Sequence, residues 1–191
     1  SIVGTPGIPA GHNGFAAWGL TNGMLDDTDL FVEALGPDGR SVREGDDFVP
    51  LEMRCEVIEV KGGDPVEETV RITPRGPIVS PALGGEWRAL SMRAAWLAPR
   101  PIKGLLYVHR ARSFEAFRRC FEQWPTPAQN MAYADASGTI GWQLMGEAPQ
   151  RRKGWGVLPA AGWDPEAGWE DAPVPFEALP FDVDPACGFV A

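Results

Sequence analysis

Glycine and proline punctuate this chain so often that a long helix has almost nowhere to form. There are 23 glycines and 19 prolines in 191 residues, and both residue types turn the chain or break helical runs. Between them lie short stretches rich in β-branched side chains. "FVEAL" (31–35), "EVIEV" (56–60) and "ETVRI" (68–72) read as strands, with the turn signals "GPDGR" and "KGGDP" between them. "MAYADASGTIGWQLMG" reads as a hairpin turning at residues 136–138. One segment departs from this pattern. In "SFEAFRRCFEQW", Ser113 can cap, Phe114, Phe117, Cys120 and Phe121 share a face at helical spacing, and Pro125 ends the run. This predicts a helix near residues 113–124. From Pro149 onward the chain is Pro, Gly, Trp and acid with little periodicity, and it is expected to wrap a scaffold without joining its layers. The expected fold is α+β, antiparallel and β-rich, with residues 1–191 forming a single unit whose weakest joint lies near "LAPRPIKG".

Hydrophobic residues make up 44% of the chain, enough to bury a substantial core. The net charge of −9 turns the phosphate attraction that drives nucleic-acid binding into repulsion, so no nucleic-acid partner is expected. Two basic clusters, "FRRCF" and "QRRKGW", are only a few residues long and read as solvated faces. No apolar run approaches the roughly 20 residues that cross a bilayer as a helix, and no membrane partner is expected. The opening "SIVGTPGIPAG" lacks the basic segment and apolar core of a signal peptide, so any export signal is expected outside this chain. Cys55, Cys120 and Cys187 are widely spaced and form no CxxC pair, and the histidines are His12 and His109. A disulfide framework, a zinc site and a histidine-built metal centre are therefore not expected.

The sequence contains no GxSxG elbow, HExxH, Walker loop or GxGxxG. The informative stretch is "GHNGFAAWGLTNGMLDDTDLF", residues 11–31, where backbone-permissive glycines alternate with large apolar side chains before a knot of negative charge. Asp26, Asp27 and Asp29 lie so close that their charges repel unless a cation or a helix N-terminus answers them. The turn is either a solvated acidic surface or the edge of a site for a hard cation such as calcium, with Thr28 adding its carbonyl. It is not an EF-hand, because the glycine and the distal glutamate of that loop are missing.

Taken in order along the chain, these segments resemble the penicillin amidase (penicillin acylase) family of N-terminal nucleophile hydrolases. The resemblance begins at "PGIPAGHNGFAAWGLTNGMLDDTDLFVEAL" and continues through "TPRGPIVS" and "SFEAFRRCFEQWPTPAQNMAYADASGTIGW". It extends over "RRKGWGVLPAAGWDPEAGWEDAPVPFEALP" to "DPACGFVA". The fold it implies is the middle portion of an αββα sandwich. The implied activity is hydrolysis of the acyl-amide bond of penicillin-like or other N-acyl substrates, in a periplasmic or secreted setting. The resemblance assigns the backbone N–H of Asn22, in the Thr21-Asn22-Gly23 turn, as a donor to the oxyanion of the tetrahedral intermediate. The Asn22 side chain can equally serve only to cap the turn. By the same resemblance Asp26 and Asp29 are calcium-binding carboxylates, with carbonyls from Thr28 and from near Gly156, and binding in this piece is expected to be weak. Ala10, Leu20, Trp96 and Gln129 fall where the family lines its acyl pocket. Ala10 and Gln129 are not the large apolar residues an aromatic acyl group would favour. Trp96 also reads as a core tryptophan, and His12 as a residue that orders the turn.

In this family the nucleophile is an N-terminal Ser whose own α-amino group acts as the base. It begins a separate strand upstream of the PG…GHNG segment, so Ser1, followed directly by "IVGTPGIP", does not match it. The family's side-chain oxyanion donor, an Asn just after the closing motif, would fall past Ala191. The chain is accordingly expected to be an internal section of a larger enzyme, inactive alone. Its expected partners are a small-molecule acyl-amide substrate and the remaining segments of the parent. The alternative is a non-catalytic ligand-binding module on the same scaffold.

Overall fold

The computed structural model describes residues 7–80 and 89–190. β1 (Gly11–His12), β2 (Ala16–Asn22), β3 (Thr28–Val32), β4 (Ser41–Glu44) and β5 (Asp47–Pro50) come first. β6 (Glu52–Ile58), β7 (Val66–Thr73), β8 (Gly76–Pro77) and β9 (Leu90–Ala94) follow. After the helix α1 (Phe114–Arg119) come β10 (Gln129–Asp135), β11 (Ile140–Met145), β12 (Ala160–Ala161) and β13 (Phe181–Val183). Among the described residues every strand pairing is antiparallel except the short one between β12 and β3. The architecture is α+β and antiparallel β-rich, in agreement with the turn-rich sequence.

The described residues group into two compact units, each assembled from separated stretches of chain. The first takes the residues up to Asp27, then Ala98–Pro149, then Ala172 onward; the second takes Thr28–Leu97 and Gln150–Asp171.

In the first unit a five-stranded sheet runs in the order β1-β2-β10-β11-β13. Alternation decides its faces: Ala16 and Trp18 on β2 and Met131 and Tyr133 on β10 are buried, while Ala17, Ala132 and Ala134 point the other way. The buried face packs on Phe114, Phe117, Phe121 and Trp124 in one apolar cluster. α1 starts where Ser113 caps it, its hydroxyl oxygen accepting from the Ala116 N–H at 3.1 Å, a contact that contributes about 1 kcal/mol. The helix is shorter than expected. At Cys120 and Phe121 the N–H groups turn to the carbonyls three residues back, Phe117 and Arg118, at 3.1 and 3.0 Å. These bonds tighten the chain into turns that still deliver Phe121 and Trp124 to the core. The β10–β11 hairpin turns at residues 136–138, where Gly138 adopts φ +95°.

Two readings of the sequence need correction here. The tail does enter a layer, because β13 pairs with β11 at Gly141, Trp142 and Gln143. "FRRCF" is not a solvated face throughout: Arg118 is 4% exposed. Its guanidinium lies over the rings of Phe181 at 4.0 Å and Phe176 at 5.0 Å and donates to Gln143 and Glu177 at 2.9 Å each. Its Nε and Nη1 are paired in this way while Nη2 is buried without a hydrogen-bond partner, and the paired cation ties the tail to α1.

The second unit carries the β12-β3-β9 sheet, the β4–β5 hairpin and the β6-β7-β8 sheet. Its apolar cluster is smaller, centred on Val42, Leu51 and Ile78. A buried ionic group strengthens it. Glu33 receives both Nε and Nη2 of Arg75 at 2.9 Å and the Ser91 hydroxyl at 2.5 Å. Burial works against the Arg75 charge, but the flanking Glu33 and Glu44 outweigh it and raise the guanidinium above its usual value.

Candidate functional site

The Asn22 turn closes β2 in the first unit. The register opposes Asn22 to Gln129, and the next residue's N–H, that of Gly23, donates to the Ala128 carbonyl at 3.0 Å. Asn22 and Gln129 are therefore a non-hydrogen-bonded pair, and the Asn22 N–H points away from β10. On that outer side β1 pairs only with Ala17 and Trp18, so among the described residues no strand covers the edge at Asn22. The side chain does cap the turn, its Oδ1 accepting from the Met24 N–H at 3.0 Å. The two roles use different atoms and are compatible. Gly23 is required by close approach: a Cβ there would stand 2.7 Å from Leu144 Cδ1 and 2.9 Å from the Gln129 nitrogen. The Asn130 side chain fastens the same turn by donating to the Asn22 carbonyl at 3.2 Å.

Beside this edge lies a cavity of about 470 Å³ lined by Gly19, Leu20, Thr21, Asn130, Ala132, Trp142 and Val190. The cross-strand row Gly19, Ala132, Trp142 explains it. Two minimal side chains leave the sheet face open, and the indole walls one end. A Cβ on Gly19 would meet nothing within 4 Å.

The acidic turn divides. Asp26 is exposed, Thr28 is half-buried, and Asp29 in the second unit is 7% exposed. Asp29 is held by residues distant in sequence. Arg151 approaches its carboxylate in bidentate fashion, Nε to Oδ2 at 2.9 Å and Nη2 to Oδ1 at 2.9 Å, and the Trp169 indole N–H donates to Oδ2 at 2.5 Å. A short antiparallel pairing delivers both groups together. Arg151 and Trp169 form a bridge, flanked by Glu170 N–H to Gln150 O at 2.7 Å and Arg152 N–H to Gly168 O at 2.9 Å. Arg93, opposite Asp29 on β9, stacks over the Trp169 ring at 4.6 Å. Burial, with the nearby Arg152, holds the Arg93 guanidinium below its usual value. Gly156 is brought to Asp29 as well, with φ +74°. The second basic cluster is thus not wholly solvated either: Arg152 and Lys153 are exposed, but Arg151 is half-buried against a carboxylate.

The other residues singled out in the sequence are spread out. Leu20 lines the 470 Å³ cavity. Gln129 is half-buried opposite Asn22, and Ala10 is exposed just before β1. Trp96 is in the second unit and 50% exposed, so it is not a core tryptophan; its Nε1 donates to the Thr28 hydroxyl at 3.2 Å. The turn near His12 is organised by its neighbour. Asn13 Oδ1 accepts from the N–H groups of Phe15 and Ala16, and its Nδ2 donates to the carbonyls of His109 and Ala111. Ser1 lies outside the described residues. Sequence reasoning missed Arg151 and Trp169, whose signal, two polar-ended side chains in an aperiodic tail, has no local pattern.

The first unit thus carries an outward-facing backbone N–H at a strand end, beside an apolar hollow on the same sheet. The comparisons narrow this. The family model described as penicillin amidase matches residues 1–191. The acyl-homoserine lactone acylase QuiP of Pseudomonas fluorescens is 34% identical, over all of this chain and 24% of its own length. Penicillin G acylase of Escherichia coli is 31% identical, over 97% of this chain and 22% of its own. A solved thermostable penicillin G acylase from Alcaligenes faecalis superposes with a TM-score of 0.84 at 26% identity, covering 98% of this chain and 34% of that one. The chain belongs to the penicillin amidase family. It spans about a quarter of the length of the curated relatives it matches.

Proposed function

We propose that this chain is a section of an amide hydrolase that cleaves the acyl-amide bond of penicillin-like or other N-acyl substrates. The nucleophile in this reading is an N-terminal Ser outside the chain, and the Asn22 N–H is one of the oxyanion donors. The observation that carries the reading is the direction of that N–H, turned to an uncovered sheet edge and anchored by the Gly23–Ala128 bond. A donor fixed before reaction stabilises the developing charge without reorganising. The hollow at Leu20 and Trp142 lies on the same strands and would accept the apolar part of an acyl group.

The reading is tested in the full-length parent with Asn22→Pro and Asn22→Ala. Proline removes the N–H without breaking a ladder bond, since Asn22 makes none with β10, and edge positions tolerate it. Asn22→Ala loses the side-chain cap but keeps the N–H. Proline is expected to lower kcat by about 10²–10³-fold, the effect of deleting one oxyanion donor, while alanine stays within several-fold of the parent. Equal activity of the two variants overturns the assignment. The 191-residue chain alone is expected to show no turnover on a panel of chromogenic acyl-amides. Turnover that Ser1→Ala abolishes would place the nucleophile within the chain instead.

A further inference from the structure

The resemblance implies a calcium ion at Asp26, Thr28, Asp29 and Gly156, but the groups around Asp29 fit a different cation. Both carboxylate oxygens accept from N–H donors: Oδ1 from Arg151 Nε and Nη2 at 3.1 and 2.9 Å, and Oδ2 from Arg151 Nε and Trp169 Nε1 at 2.9 and 2.5 Å. Calcium needs six to eight oxygens at about 2.3–2.6 Å, arranged around one centre. Here a guanidinium and an indole take both carboxylate oxygens, backbone approaches from a third side, and the adjoining hollow of about 310 Å³ is lined by no carboxylate besides Asp29 but by Arg151 and Lys153. A Cβ on Gly156 would collide with both Asp29 Oδ1 and Arg151 Nε, so the backbone at Gly156 lies directly against the ion pair. The left-handed conformation at Gly156, φ +74°, is what permits that approach. A divalent ion at Asp29 would also sit against the Arg151 charge, with the Arg93 guanidinium stacked just beyond on Trp169.

We propose that Arg151 is the built-in counter-ion of Asp29, doing in this chain what a bound divalent cation would do, and that the folded state does not draw on calcium at this position. A guanidinium stays protonated at any working pH and its planar fork matches a carboxylate edge to edge. Being part of the chain, it is always present. A metal that bound only the folded state would make stability depend on its concentration; a covalently attached cation does not.

The test is the melting temperature of the purified chain in saturating calcium chloride and in excess EDTA, with Arg151→Gln, Arg151→Lys and Asp29→Asn alongside. The expected result is no difference between calcium and EDTA for the unmodified chain, and a drop of about 5–15 °C for Arg151→Gln in either buffer. Arg151→Lys should fall between them, since an ammonium keeps the charge and loses the bidentate fit. A rise in melting temperature with calcium that vanishes in Asp29→Asn overturns the proposal, as does an Arg151→Gln chain that melts with the parent. Should Arg151→Gln fail to fold, the calcium–EDTA comparison on the unmodified chain still decides.

Discussion

Glu33→Ala should destabilise the chain by about 3–5 kcal/mol, the cost of leaving a buried charge without its partner. The Glu33 side chain is fully buried and that of Arg75 is 10% exposed, so water cannot replace the lost carboxylate. Of its two carboxylate partners among the described residues Arg75 would keep Glu44, on a side chain 34% exposed, and Ser91, 0% exposed, would lose the acceptor it meets at 2.5 Å. Urea unfolding of Glu33→Ala, Arg75→Ala and the double variant checks this. The double variant should lose clearly less than the two single losses combined, since the second substitution removes the stranded charge. Additive losses, or a Glu33→Ala loss under about 1 kcal/mol, would mean that the pair is not coupled as the geometry indicates.

Phe117→Ala should cost about 3–5 kcal/mol by a different route, an unfilled cavity in the first unit. Phe117 is 0% exposed and packs edge-on to Phe121 with ring centres 5.3 Å apart and against Tyr133 at 5.0 Å. It is the point where α1 meets β10. Phe117→Leu keeps most of the volume and should lose less than half as much. Thermal and urea melts of the two variants decide; equal losses would show that ring geometry, and not volume, sets the energetics at this position.

Much of the first unit was legible because its signals are local. The Ser113 cap, the Phe114–Phe117 spacing and the 136–138 turn each depend on neighbours within a few positions. The helix end was not legible, because Phe121 and Trp124 satisfy the apolar pattern equally well as a helix or as turns. "FVEAL" was placed too late: β3 spans Thr28–Val32, which takes in a charged residue that local propensity assigns to a loop. Asp29 can enter a strand because Arg151 neutralises it, and that partner is 122 positions away. The same distance hid the cation at the acidic turn. Asn22 was readable by resemblance, but the aim of its N–H depends on the β2–β10 register, which no local pattern records.

That register has a consequence for how the protein is made. β2 is antiparallel to β10 along its whole length, Ala16 to Asp135 and Asn22 to Gln129. A ribosome releases β2 early, and the strand must then wait, unmatched along that side, until residues 129–135 emerge. All of the second unit's Thr28–Leu97 stretch is synthesised in the interval. Until then β2 presents to solvent the row of backbone N–H and C=O groups that β10 later pairs, the kind of open edge on which strands of other chains can add.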